Sequence, residues 1–196
     1  MKRLLGLLAL AVALYGASLV AAQDSGGKDG QPPKDKAKAA LTINDPQAFQ
    51  GYTLISPMMS TKSYLIDIQG RIVRTWEGAA APELCAYLLP NGNLLRPCAK
   101  DKGGMVGVGG RIQEFTFDGE LVWDYKFPTE KYLPHHDITK LPNGNILAIV
   151  YEKKTAQEAT AAGRKGNAVL EVDNILEIQP KGKDGGDIVW QWSAWD

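Results

Sequence analysis

The sequence predicts an all-β fold, a β-propeller built from four-stranded antiparallel blades. Three observations carry that prediction. A turn segment occurs twice: residues 88–95 read LLPNGNLL and residues 140–147 read KLPNGNIL. The spacing of about 50 residues marks stacked repeats. Each copy lies between two apolar runs, so each is the turn of a β-hairpin. A second hairpin follows each first one, and the two together supply the four short strands of a propeller blade. A β-sandwich would share the strand spacing, but it does not require hairpins that align with one another.

The elements follow in order. Met1–Ala22 opens with Lys2 and Arg3, runs apolar from Leu4 to Val20 and closes on small residues at Val20-Ala21-Ala22. That is the pattern of a secretory signal peptide, with an uncleaved anchor helix as the alternative. Residues 23–40 are rich in Gly, Pro, Lys and Asp and nearly free of apolar residues. Such a stretch buries too little surface to offset its chain entropy and is expected to be a disordered linker. The propeller domain is expected over residues 41–196. Gly51–Trp76 reads as the end of one blade, Leu84–Phe127 as a complete blade and His135–Trp192 as another.

Within these blades, the second hairpins share one form. Ser63–Trp76, Arg111–Tyr125 and Asn174–Trp192 each place an alternating run, a glycine turn and an aromatic run in succession. Aligned on the glycines, Trp76, Tyr125 and Trp192 fall at one position, and Phe115 falls with Ile66 and Ile178. The last blade carries an insertion at Thr155–Gly166. Its helix formers and closing glycine predict a short helix. Gly103–Gly110 is glycine-rich, but no helix follows it. It therefore lacks the setting of a phosphate cradle and reads as a flexible loop on the rim. Lys181–Asp187 reads as a polar hairpin loop with too few spaced carboxylates for a calcium site.

Composition narrows the functional classes. The chain is formally neutral, with 22 basic and 22 acidic residues. No basic patch stands out, so nucleic acid is not an expected partner. Two cysteines, Cys85 and Cys98, flank the first hairpin. A two-residue turn at Asn91-Gly92 would bring them into register for a disulfide. A bulged three-residue turn pairs Leu89 with Asn93 and leaves them as two buried thiols. The Pro-Asn-Gly order favours the bulged turn.

Few residues are suited to chemistry. The only two histidines are adjacent, in His135-His136-Asp137. They are placed where coil enters the first strand of the last blade, the strand nearest the central channel of a propeller. Histidine there can act as nucleophile, general acid or anion donor; the alternative is a structural pair. Neighbours on a strand point to opposite faces, so the pair is not a simple metal chelate. No further metal ligands stand at good spacing, and no cofactor is expected. Arg96, at the end of a strand, and Arg164, closing the inserted helix, could bind an anionic group in bidentate fashion. Glu152, Lys153 and Lys154 end the strand equivalent to that of Arg96.

These residues resemble a known family. GYTL at 51–54, YLID at 64–67, GRIVRTW at 70–76, HHDI at 135–138, LPNGNIL at 141–147 and VWQWSAWD at 189–196 are similar, in order and spacing, to the secreted bacterial arylsulfotransferases. The resemblance implies a six-bladed propeller with its site in the central channel. It implies transfer of a sulfuryl group from an aryl sulfate to a phenol, without a nucleotide donor, through a sulfo-histidine. It implies His135 and His136 at that site, as nucleophile, acid or sulfuryl-binding residue, and a secreted or periplasmic location with no membrane span after cleavage; Arg96 and Arg164 stay substrate-binding candidates on their own chemistry alone. Only about two and a half blades are legible. The chain is therefore expected to be an inactive portion of a longer propeller, prone to self-association through open sheet edges. The alternative function is a non-catalytic propeller that binds a ligand or a protein.

Overall fold

A computed structural model describes residues 41–99 and 108–196. They belong to one compact unit, Ala39–Asp196. The expected signal peptide at 1–22, the linker at 23–40 and the first part of the glycine-rich loop lie outside the described residues. The architecture is three antiparallel sheets in an open, propeller-like arrangement. The first sheet has three strands, β1 (Thr53–Ile55), β2 (Lys62–Ile66) and β3 (Ile72–Glu77). The second has four: β4 (Tyr87–Leu88), β5 (Leu94–Ala99), β6 (Gly109–Phe115) and β7 (Leu121–Lys126). The third has β8 (Tyr132–Lys140), β9 (Ile146–Lys154), β10 (Leu170–Lys181) and β11 (Gly185–Ser193). Strands follow chain order in every sheet, as successive hairpins require. Among the described residues, no helix is long and apolar enough to cross a membrane.

The repeats are real at the level of register. The hairpins β2–β3, β6–β7 and β10–β11 each slip by one residue, at Leu65/Ile66, Glu114/Phe115 and Glu177/Ile178. The extra residue is a valine each time: Val73, Val122 and Val189. A bulge bends a strand and strengthens its twist, and its repetition gives each sheet the same curvature. Ser63 faces Trp76, Ile112 faces Tyr125 and Ile175 faces Trp192, as the sequence alignment expects.

The Asn-Gly-Asn turns explain their own repetition. Leu89 N–H donates to Asn93 C=O at 2.8 Å, and Leu141 N–H donates to Asn145 C=O at 2.7 Å. These are the bulged three-residue turns, with Gly92 and Gly144 at φ of 85° and 86°, where a side chain would be strained. Asn91 Oδ1 and Asn143 Oδ1 accept from the amides of Asn93 and Asn145 at 3.0 Å each. The amide side chains of Asn93 and Asn145 then reach Glu114 at 2.8 Å and Glu177 at 2.6 Å, on the next strand. With this turn Cys85 and Cys98 are out of register, and both are free. Burial pushes each thiol up to about 12, so neither is a thiolate at neutral pH.

Each sheet stacks on the next through aromatic residues of its last strand. Fully buried Trp76 donates its indole N–H to Thr116 C=O at 2.8 Å. Trp123 donates to Gly185 C=O at 2.8 Å. Leu95, Ile112, Trp123 and Tyr125 of the second sheet bury against Ile138, Ile146, Val150, Leu176 and Ile178 of the third. The equivalent Trp190 and Trp192 on β11 stay half exposed.

The insertion forms α1 (Ala156–Ala161), as expected. Thr155 and Glu158 make a reciprocal capping box. Gly163 at φ 92° and the bonds Gly163 N–H to Thr160 C=O and Arg164 N–H to Ala159 C=O close its end, the arrangement that satisfies terminal carbonyls.

Two expectations need correction. Gly109 and Gly110 are not in a rim loop; they begin β6 and are buried. A Cβ on Gly109 would stand 2.3 Å from Glu83 Oε2 and 2.8 Å from Cys98 C=O, so glycine is there for close packing. Arg96 does not end its strand but lies within β5.

Candidate active site

The innermost strand of the third sheet, β8, carries both histidines. Its register to β9 runs Leu133 to Tyr151 and Pro134 to Val150, then resumes at Ile138 to Ala148. His135, His136 and Asp137 therefore stand opposite the single residue Ile149. The expected alternation fails here: the chain swells, and His136 adopts φ 58°. That is a left-handed conformation costly for a side-chain-bearing residue. The two imidazoles end 5.3 Å apart at 89°, rather than on opposite faces. The pair also lies within β8, not at the point where coil enters it.

The two histidines differ in setting. His135 is 7 % exposed and stacks on Tyr151 at 3.8 Å. Its Nε2 lies 3.1 Å from Asp173 Oδ1, but out of line, so neither ring nitrogen has a hydrogen-bond partner among the described residues. Burial lowers its pKa, opposed by Asp173; it is held neutral at pH 7. His136 and Asp137 are exposed.

Asp137 ties the bulge to its neighbours. Its Oδ1 accepts from Ile138 N–H at 2.8 Å and from Tyr87 O–H at 2.6 Å. Tyr87 lies on β4, the innermost strand of the second sheet. That hydrogen bond raises the phenol pKa to about 12, so Tyr87 remains a donor. Val108 also bridges to His135. Tyr87, Tyr151 and Asp173 escaped the sequence reading, because contacts between residues on different strands leave no local signal.

The two arginines are not brought to this cluster. Arg96 is fully buried. Its Nη1 donates to Ser63 Oγ at 3.1 Å and its Nη2 to Ala80 C=O at 3.0 Å. The guanidinium lies 5.6 Å over the Phe115 ring, between the first and second sheets. Gly78 makes room for it: a Cβ there would stand 1.8 Å from Nη2. Arg164 is exposed after α1 and donates to Ala168 C=O at 3.1 Å within its own loop.

Glu83 is a further buried titratable group that the sequence reading missed. It is 2 % exposed, and neither carboxyl oxygen has a partner among the described residues. Burial raises its pKa from 4.5 to about 8. Between those values the unfolded chain releases a proton that the folded chain keeps, so stability falls as pH rises through this window. Glu83→Gln should flatten that slope and leave the protein more stable than wild type at pH 8. Urea melts at pH 5 and pH 8 check this; parallel pH dependences in the two proteins would contradict it.

A family model decides the identity. The arylsulfotransferase (ASST) model matches residues 45–196, which include every described strand. The chain belongs to the arylsulfotransferase family. No curated protein matches it. In this arylsulfotransferase chain, the histidine bulge holds an exposed imidazole on the innermost strand. Behind it stands a neutral, buried imidazole, and beside it a carboxylate fixed by a tyrosine.

Proposed function

We propose that this domain moves a sulfuryl group from an aryl sulfate to a phenol at the histidine bulge. The observation that carries the reading is His136, exposed on the innermost strand in a left-handed conformation, within a chain whose family is arylsulfotransferase. A ring nitrogen of His136 attacks sulfur, the S–O(aryl) bond breaks and the first phenolate leaves. The oxygen of a second phenol then attacks sulfur, the S–N bond breaks and its proton passes to solvent. Asp137 orients the bulge, and His135 packs behind it.

A turnover assay tests this. The chain is mixed with 4-nitrophenyl sulfate and a phenol acceptor, and 4-nitrophenol release is followed. The blade count alone expects an inactive chain; with His136 exposed on the innermost strand we expect slow transfer instead, slower than that of a closed six-bladed family member, because three sheets preorganise donors on only one side of the ligand. A rate equal to the closed protein's would contradict the slow transfer. No transfer would return the chain to the inactive portion that its blade count expects, and phenol binding that persists without transfer when further blades complete the propeller would favour the binding propeller.

Export and association complete the reading. Protein recovered from the periplasm should begin near Gln23; an intact Met1 on a cytosolic product would oppose it. Half-exposed Trp190 and Trp192 on β11 should make copies associate, which sedimentation velocity reads; one monomeric species across concentrations would oppose that.

A further inference from the structure

Of the buried acids Glu83, Glu114 and Glu152, the last two are paired with lysines, and Glu83 bonds to nothing among the described residues. Its carboxyl lies over β5 and β6. A Cβ on Gly109 would stand 2.3 Å from Oε2. The titratable side chains nearest it are Cys98 on β5 and Cys85 in its own segment, both kept as thiols by burial. The charged groups around Cys98 are Arg96, Arg111 and Asp124. Arg111 pairs with Asp124 at 3.0 Å, and Arg96 donates to Ser63 and Ala80. With no cation bonded to it among the described residues, only the protonated acid fits where Glu83 stands.

The segment after Glu83 is strained and lightly held. Leu84 stands at φ 47°, with Cys85 N–H donating to Glu83 C=O across it. This is the rare γ-turn, costly for leucine. Behind the turn, Glu83 N–H donates to Pro97 C=O at 3.0 Å. Ahead of it, β4 pairs with β5 only at Tyr87 and Leu88. Open space of about 320 Å³ adjoins residues 84–87 on the side of Leu54 and Ser56, so the segment has room to move.

The same segment holds the histidine bulge. Tyr87 O–H donates to Asp137 Oδ1 at 2.6 Å, and Cys85 lies against Asp137 and Ile138. Residues 83–87 thus join a buried acid to the neighbour of His136.

We infer that Glu83 and the Leu84 turn form a proton-operated latch on the histidine bulge. With the acid protonated, the turn stays folded and Tyr87 holds Asp137. When the proton passes to solvent, the carboxylate swings out to water, the turn relaxes to negative φ and Tyr87 leaves Asp137. Burial lifts the Glu83 pKa from 4.5 to about 8. The released carboxyl regains its ordinary acidity, so loss of the proton favours the open form. The latch is closed below about pH 8 and open above it. It does not depend on the transfer reading.

The test is a pH titration of the whole chain, read from the carbon-bound imidazole protons of its two histidines. Beyond their own titration, the His136 signals should move a second time near pH 8. The indole N–H signals of Trp76 and Trp123, bonded between sheets, should persist through that step, which separates opening from unfolding. In Glu83→Gln the second step should vanish and the closed position should be kept. Tyr87→Phe lacks the hydroxyl; it should hold the open position at every pH and shrink the step several-fold. Leu84→Gly accepts the positive φ and should raise the midpoint by about one pH unit. The latch is overturned if wild type shows no second step or if Glu83→Gln keeps it. A step of full size in Tyr87→Phe would also overturn it, because charge alone would then act on His136. Loss of the indole signals at the step would do the same, by assigning the step to unfolding.

Discussion

Replacing His136 by alanine should lower the single-turnover release of 4-nitrophenol from 4-nitrophenyl sulfate by about 10²–10⁴-fold. That is a barrier increase of about 3–5 kcal/mol. With protein in excess over substrate, even slow transfer is measurable. The size follows from position. His136 presents an exposed imidazole on the innermost strand, and its left-handed backbone is tolerated only because the bulge and the Asp137 contacts hold it. Stability should change little, since the exposed imidazole gives up only its edge contact with the His135 ring. His135→Ala should behave differently. It removes a ring stacked on Tyr151 at 3.8 Å and should cost both stability and rate. Equal rates in His136→Ala and wild type would remove His136 from the mechanism.

Arg96→Ala should destabilise the domain by about 3–4 kcal/mol, from two lost hydrogen bonds and the cavity left between two sheets. The side chain is fully buried, and its partners Ser63 and Ala80 belong to the preceding segment. Arg96→Met keeps most of the volume and should cost about half as much, because a buried charge without a carboxylate partner among the described residues carries a desolvation penalty. Burial already lowers the guanidinium pKa, the direction that penalty dictates. Urea denaturation of both variants checks the order. The same two proteins test the substrate role of Arg96. A folded Arg96→Met variant that no longer responds to aryl sulfate would assign the residue to the ligand. An unchanged response would assign it to packing.

Much of the architecture was legible because it rests on local chemistry repeated in register. Pro-Asn-Gly fixes the bulged turn, which in turn keeps Cys85 and Cys98 apart. The glycine alignment located Trp76, Tyr125 and Trp192 correctly, and the valines at 73, 122 and 189 turn out to be the bulged residues. The helical insertion followed from its helix formers and closing glycine, and the structure adds the Thr155–Glu158 capping box. The site was less legible. Period-two alternation separates His135 from His136, and a bulge reunited them. Its signal, a proline followed by three polar residues within an apolar strand, is visible only in retrospect. Arg96 sits in Leu-Leu-Arg-Pro-Cys-Ala, an apolar setting that pointed to burial rather than to an exposed strand end. Tyr87, Tyr151 and Asp173 meet the bulge only through tertiary packing. Nothing local to their sequences marks them.

The proposed place of sulfuryl transfer is the histidine bulge of β8. The most direct measurement incubates the chain with 4-nitrophenyl sulfate, quenches at alkaline pH and maps the peptides by mass spectrometry. A sulfuryl group on His136 is expected, absent from His136→Ala and discharged when a phenol is added. A sulfuryl group on any other residue, or transfer that persists when both His135 and His136 are alanine, would contradict it.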